Sequence, residues 1–259
     1  MVGLNLTCFM SGHSHYSTIK RQKGLKDAAK GKVFSKMAMA IQIAVKTGGG
    51  GDPDGNSKLR VAIEQARAVN MPKANIDRAI SAASAKAANV EEITYEGFGP
   101  AGIGILVVVA TDNRNRTAQE IKNMFEKVGG SMGGPNSVAF NFDSKGLILL
   151  AKDMSDSEGQ MLKLIDAGVE DIEEAGDVLE VYVAPDKLFS TKNQLSDMGF
   201  SINSFELIKK PINFVAIGEV SQAQKVLNFL ETLEDHDDVQ KVFANVDIPQ
   251  DVLDRIESK

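Results

Sequence analysis

Tryptophan is absent from this 259-residue chain, tyrosine occurs three times and cysteine once. A lone Cys8 can form neither an intrachain disulfide nor a cysteine-based metal site, which fits a reducing compartment. Histidine is nearly as scarce. Besides His13 and His15 only His236 is present, fewer close ligands than a zinc site takes. The longest apolar run, Ile103 to Ala110, falls far short of the roughly 18 to 20 residues that cross a bilayer as a helix. The opening Met1 to Phe9 has no cationic segment, an apolar run broken by Asn5 and Thr7, and no small-residue cleavage pattern. A cytoplasmic protein without a membrane partner is expected. No P-loop, G-x-S-x-G elbow or Cys/His pair occurs. The acid runs Glu170 to Glu174 and Glu234 to Asp238 read as solubilising edges rather than as a paired acid and base. Neither enzymatic activity, a cofactor nor a bound metal is expected.

What the chain has is ordinary globular composition, 43% apolar and 25% charged, at a length that favours two or three domains over one. Its charge is split. Residues 1 to 90 carry 14 Lys and Arg against 5 Asp and Glu, whereas residues 91 to 259 carry 15 against 30. A basic end of net +9 on a chain of net −6 points to a polyanion, because basic side chains neutralise phosphates and release counterions whatever the base sequence.

Between Lys23 and Thr47, Val33, Phe34, Met37, Ile41, Ala44 and Val45 recur at helical spacing. Gly31 predicts a bend or break there. Gly48 to Gly51 and the following Asp52-Pro-Asp-Gly-Asn56 predict a loop, Asn56 or Ser57 a cap, and Pro72 the first turn of a third helix. Beyond Glu91 the pattern is α+β. Leu147 to Ala151, a helix over Ser157 to Ala167, Val169 to Ile172, Val178 to Val183, a helix over Asp186 to Met198 and Ile202 to Ile208 spell β-α-β-β-α-β, the ferredoxin-like order. On either side, a strand over Ile103 to Thr111, a helix over Thr117 to Val128, a strand over Val138 to Phe142, and later a helix over Ser221 to Leu233 and a strand over Val239 to Phe243 form a split unit. The expected fold is α+β in three domains, an N-terminal helical domain followed by two intertwined ferredoxin-like α+β domains. The expected bounds are 11–90 for the basic helical domain, 91–143 with 211–247 for the split one, and 144–210 for the inserted one.

The strongest constellation is Gly12-His-Ser-His-Tyr-Ser-Thr-Ile-Lys-Arg-Gln-Lys23, continuing to Lys36 with seven cations and one acid, Asp27. Lys23, Lys26 and Lys30 share a helical face and can follow a phosphate backbone, while Tyr16, His13 and His15, with Ser14 between the histidines, offer stacking or hydrogen bonds. With Lys20, Arg21, Lys32 and Lys36 they form the expected nucleic-acid contact; a solvated helix face is the bland alternative. Thr111-Asp-Asn-Arg-Asn-Arg-Thr117 lies where a strand meets a helix. It either caps the helix or lends Arg114 and Arg116 to a second phosphate contact. Asp52-x-Asp54-x-Asn56 echoes a calcium loop but has Ser57 and Ile63 where that loop needs glycine and glutamate. Gly97-Phe-Gly-Pro-Ala-Gly102 matches G-x-G-x-x-G, yet a strand follows it where a dinucleotide site requires a helix, so it reads as a turn.

Gly12-His-Ser, Ile19-Lys20, Gly31-Lys-Val-Phe34, Gly49-Gly-Gly-Asp-Pro53, Asn70-Met-Pro-Lys73, Ile76-Asp-Arg-Ala-Ile80, Tyr95-Glu-Gly-Phe-Gly-Pro100, Thr111 to Thr117 and Gly129-Gly130 resemble, in that order, the pattern of the YebC family. The resemblance runs from about Met10 to the C-terminal region. It implies three domains, a helical one and two intertwined α+β ones, and a regulator of gene expression. Bacterial members are described as cytoplasmic transcriptional regulators that bind DNA. Relatives include the mitochondrial translational activator of cytochrome c oxidase and factors that assist ribosomes. The expected function is therefore DNA-binding transcriptional regulation by a monomer, with a translation factor bound to ribosomal or transfer RNA on the ribosome as the alternative. Family members commonly carry tryptophan where Tyr16 stands, and Met10 is a candidate initiator.

Overall fold

A computed structural model describes residues 27–84, 90–153 and 155–258. Its first unit is three helices, α1 (Asp27–Thr47), α2 (Ser57–Ala68) and α3 (Lys73–Ser84). Residues at three- and four-residue spacing on each, among them Ile41, Ala44, Val45, Leu59, Ile63, Ala66, Ile76, Ala79 and Ala83, meet in one core. The break expected at Gly31 does not occur. Helix α1 runs through it, and because Gly31 is exposed with open space around it, nothing adds to the modest intrinsic cost of a helical glycine. The loop 48–56 is organised by Asn56, only 1% exposed. Its Oδ1 accepts from the Leu59 amide at 3.0 Å and caps α2, while Nδ2 donates to the Ala44 and Gly50 carbonyls at 2.8 and 2.7 Å. Gly48 is obligatory there, since a Cβ would collide with the Asn56 amide.

The remaining chain forms β1 (Glu91–Phe98), β2 (Gly104–Thr111), α4 (Arg114–Lys127) and β3 (Ser131–Met132), then β4 (Phe142–Ala151), α5 (Ser157–Asp166), β5 (Asp171–Ala175), β6 (Val178–Val183), α6 (Leu188–Asp197) and β7 (Ile202–Pro211). It ends with β8 (Val215–Ala216), α7 (Val220–Glu234), β9 (Val239–Ala244), β10 (Val246–Asp247) and α8 (Gln250–Glu257). One antiparallel sheet has the order β3-β1-β2-β9 and a second the order β5-β6-β4-β7. In the second, first and third strands are central neighbours, which is the ferredoxin-like arrangement. The chain leaves the first sheet after β3, builds the second, and returns to add β9.

Strand β2 explains the longest apolar run. Ile103, Ile105, Val107 and Val109 face α4 and α7, where Phe125 and Phe229 meet edge to face at 5.1 Å. Leu106, on the other face, packs with Phe142, Leu147, Tyr182, Ile208 and Phe243 between the two sheets. A strand buried on both faces reads as continuous hydrophobicity rather than alternation. That intersheet contact also holds one ion pair, Lys241 to the buried Glu206 at 2.7 Å.

A second expectation is corrected. Val138 to Phe142 is not a strand of the first sheet; Ala139–Asn141 is a 3-10 turn, and Phe142 begins β4 of the second sheet opposite Pro211. The cause is Glu96, buried on β1. Its carboxylate accepts the amides of Asn136, Val138 and Ala139 at 2.6, 2.7 and 2.8 Å, which removes them from any ladder. Burial works to raise the Glu96 carboxyl, but these three bonds hold it below its ordinary range. The 3-10 turn Pro100–Gly102 joins β1 to β2, as the glycine-rich stretch predicts. No described helix is long and apolar enough to cross a membrane.

Candidate nucleic-acid interface

Of the expected contacts, His13, Ser14, Tyr16, Lys20, Arg21, Lys23 and Lys26 lie outside the described residues, and of Lys30 only the backbone in α1 is described. Lys32 and Lys36 stand one turn apart on α1. The Nζ of Lys32 donates to the Asp235 carbonyl and lies 3.6 Å from the Asp237 carboxylate; that of Lys36 donates to the Glu234 carbonyl. Both therefore meet the C-terminal end of α7, where unpaired carbonyls and the helix dipole favour cations. The acid run 234–238 is thus more than a solubilising edge, because it is where the basic helix docks.

Arg116, at the start of α4, reaches the same loop. Asn113 caps α4 by accepting the Arg116 amide at 3.1 Å, so the motif Thr111 to Thr117 does cap its helix. The Arg116 guanidinium reaches Asp238 at 2.9 Å, Asp112 at 3.3 Å and Glu120 at 3.9 Å. The Thr117 hydroxyl donates to the same Asp238 at 2.5 Å and pairs with Thr111 at 2.8 Å. Burial works to raise the Asp238 carboxyl, yet the Thr117 and Arg116 hydrogen bonds, with the Arg116 charge, hold it low. Arg114 differs. Its carbonyl accepts from the Tyr95 hydroxyl at 3.2 Å, while its exposed guanidinium has no ion-pair partner among the described residues. Two stretches far apart in sequence, 32–36 and 116–117, so converge on residues 234–238.

Glu120, His236 and Asp238 place one donor atom each within 4.8 Å of one another. Those donors are already engaged. His236 Nδ1 accepts the Asp238 amide at 3.2 Å, which leaves Nε2 facing Glu120 at 3.0 Å, and Asp238 is held by Arg116 and Thr117. A guanidinium in the cluster makes it an ion-pair network rather than a cation site.

Four cations that were not among the expected contacts stand exposed on the helical unit: Lys58 and Arg67 on α2, Lys73 and Arg78 on α3. Among the described residues none has a carboxylate partner; Lys58 reaches Thr47 at 3.4 Å and Arg78 reaches Asn75 at 3.4 Å. Their signal in the sequence is that of polar positions between apolar ones at helical period. Arg60, by contrast, is committed, donating to Pro53 and Asp54 carbonyls and lying 5.4 Å over the Phe189 ring of α6.

Fold and interface together define a three-domain α+β protein whose basic helical unit is docked on an acidic two-sheet body. The chain belongs to the TACO1/YebC family: residues 14–86 match the model described as the TACO1/YebC protein N-terminal domain, and residues 90–246 the one described as TACO1/YebC second and third domain. A protein of Dictyoglomus thermophilum named "Probable transcriptional regulatory protein" is 46% identical over 247 residues, 94% of this chain and 98% of that one. One of the same name from Finegoldia magna is 44% identical over 240 residues, 92% and 99% of the two chains. Among solved structures, the conserved hypothetical protein Aq1575 of Aquifex aeolicus superposes with a TM-score of 0.80 at 40% identity, covering 88% of this chain and 94% of that one.

Proposed function

We propose that this protein is a non-enzymatic, nucleic-acid-binding regulator of gene expression that acts on DNA in transcriptional control. The separation of charge carries this reading. The first 90 residues hold 14 basic against 5 acidic side chains, and Lys58, Arg67, Lys73 and Arg78 are exposed there without carboxylate partners among the described residues. Such cations gain free energy by displacing counterions from phosphates. The transcriptional name of the relatives agrees with it. In this reading His13, Ser14, Tyr16, Lys20, Arg21, Lys23, Lys26 and Lys30 make the primary contact, Arg114 adds a phosphate, and Lys32, Lys36 and Arg116 exchange the acidic loop for phosphate on binding.

A translation factor that binds ribosomal or transfer RNA is the second reading. The exposed Phe98 ring favours it, since unpaired bases stack on aromatic faces while duplex DNA offers none. Crosslinking and immunoprecipitation from growing cells, with DNA and RNA sequenced in parallel, separates the two. Discrete promoter peaks are expected; recovery of ribosomal or transfer RNA without promoter DNA transfers the protein to translation, and recovery of neither overturns nucleic-acid binding.

A further inference from the structure

The glycine stretches Gly97–Gly102 and Gly129–Gly130 take no part in the interface above. They border a cavity of about 510 Å³ between the Phe98–Gly102 hairpin, the turn Val128–Ser131 and the side chains Gln222 and Lys225 of α7, a size that suits a small ligand. Packing accounts for most of the glycines. A Cβ on Gly97 would lie 2.6 Å from the Phe125 ring, one on Gly99 2.8 Å from Ile105, and one on Gly130 would strike the Phe98 carbonyl. Gly102 and Gly129 have φ of 75° and 77°, a region that disfavours side chains.

Two features are not explained by packing. The Phe98 ring remains 42% exposed beside an exposed Val128, and Ala101 at the hairpin tip holds a left-handed φ of 58°, a strain that surrounding structure must sustain. The cavity is also electrically unlike its surroundings. Its lining has one cation, Lys225, and no carboxylate, in the part of the chain that carries 30 acids against 15 bases. An aromatic face, small neighbours that let a flat ring approach, and a cation in a lining without carboxylates are the components of a single-strand site.

We propose that this cavity binds one unpaired nucleotide of a single-stranded polynucleotide, with the base stacked on Phe98 and the adjoining phosphate at Lys225. The inference rests on the nucleic-acid reading above and adds to it a site for unstacked bases, remote from the basic helices. The full chain is titrated with fluorescent mixed-sequence single strands of RNA and of DNA, with the corresponding duplexes, and with a proline-rich peptide, whose apolar, puckered rings can pack on an aromatic face but which carries no phosphate. Phe98→Ala is expected to weaken single-strand binding about tenfold, Phe98→Tyr to retain it, and Lys225→Gln to weaken it and to flatten its salt dependence, with duplex affinity unchanged in all three. The RNA and DNA arms show which polynucleotide supplies the base. Unaltered single-strand binding by a Phe98→Ala protein that melts normally overturns the site while leaving the nucleic-acid reading intact. A Phe98→Ala protein that loses the peptide and keeps the oligonucleotides likewise overturns it. A wild-type chain that binds no strand in any form overturns both.

Discussion

Arg116 at the start of α4 and Asp238 at the head of β9 meet at 2.9 Å across 122 positions of sequence. The same carboxylate receives the Thr117 hydroxyl, so one buried acid fixes the corner where strand β2 turns into α4 and where β9 enters the sheet. Asp238→Ala removes the buried carboxylate that the Thr117 hydroxyl and the half-exposed Arg116 guanidinium share. A loss of about 2–3 kcal/mol in urea unfolding is expected, with the larger share retained by Asp238→Asn.

Glu96 governs the crossing between the sheets. Glu96→Ala leaves the amides of Asn136, Val138 and Ala139 without their acceptor, and a destabilisation of about 2–4 kcal/mol is expected. Amide hydrogen exchange over 136–139 should accelerate before global unfolding; unchanged protection there would refute the role given to this carboxylate.

Acid stability follows from the same two groups. Both carboxyls are depressed in the folded state from ordinary values of 4.5 for Glu96 and 3.8 for Asp238. Their contribution is therefore full above those values and lost as pH falls through the lower folded ones. The melting temperature should drop steeply below about pH 4, and Glu96→Gln with Asp238→Asn together should flatten that limb.

Reversing charge at Lys58, Arg67, Lys73 and Arg78 should reduce nucleic-acid affinity at least tenfold at moderate salt. It should also make the log–log salt dependence shallower, by up to about 0.9 for each duplex-DNA phosphate that is no longer neutralised. Melting should move little, because the four side chains are exposed.

Lys32→Ala with Lys36→Ala tests the docking of α1 on the α7 terminus. The expected result is faster hydrogen exchange at residues 234–238 and a modest change in stability, as for exposed or half-buried cations. If α1 stays as well protected as before, the docking is held by apolar contacts alone.

Periodicity made much of the architecture legible. Val178–Val183 is observed with the expected bounds, and the β-α-β-β-α-β order follows from alternating apolar runs and helical stretches. Strand β1 is harder to see because glutamates at 91, 92 and 96 resemble a solvated segment, yet Glu96 points inward to find backbone donors. The short β8 and β10 pair and the terminal α8 are too brief to carry a period. At the interface, Lys32 and Lys36 were legible as cations but their partners were not. Beside the Asp237 carboxylate near Lys32, those partners are main-chain carbonyls about 200 residues away, and a carbonyl leaves no mark in a sequence.

The return of the chain to its first sheet sets an order on biosynthesis. Strand β2 pairs with β1 as soon as the hairpin forms, but its other edge stays open until β9 is made, after the whole second sheet. A nascent chain paused anywhere between residues 111 and 239 exposes the most apolar strand of the protein along one side, an invitation to mispairing. The second sheet, whose strands are contiguous in sequence, can fold in that interval and already cover the Leu106 face, so that the intersheet core serves as an internal chaperone for the strand still waiting for its neighbour.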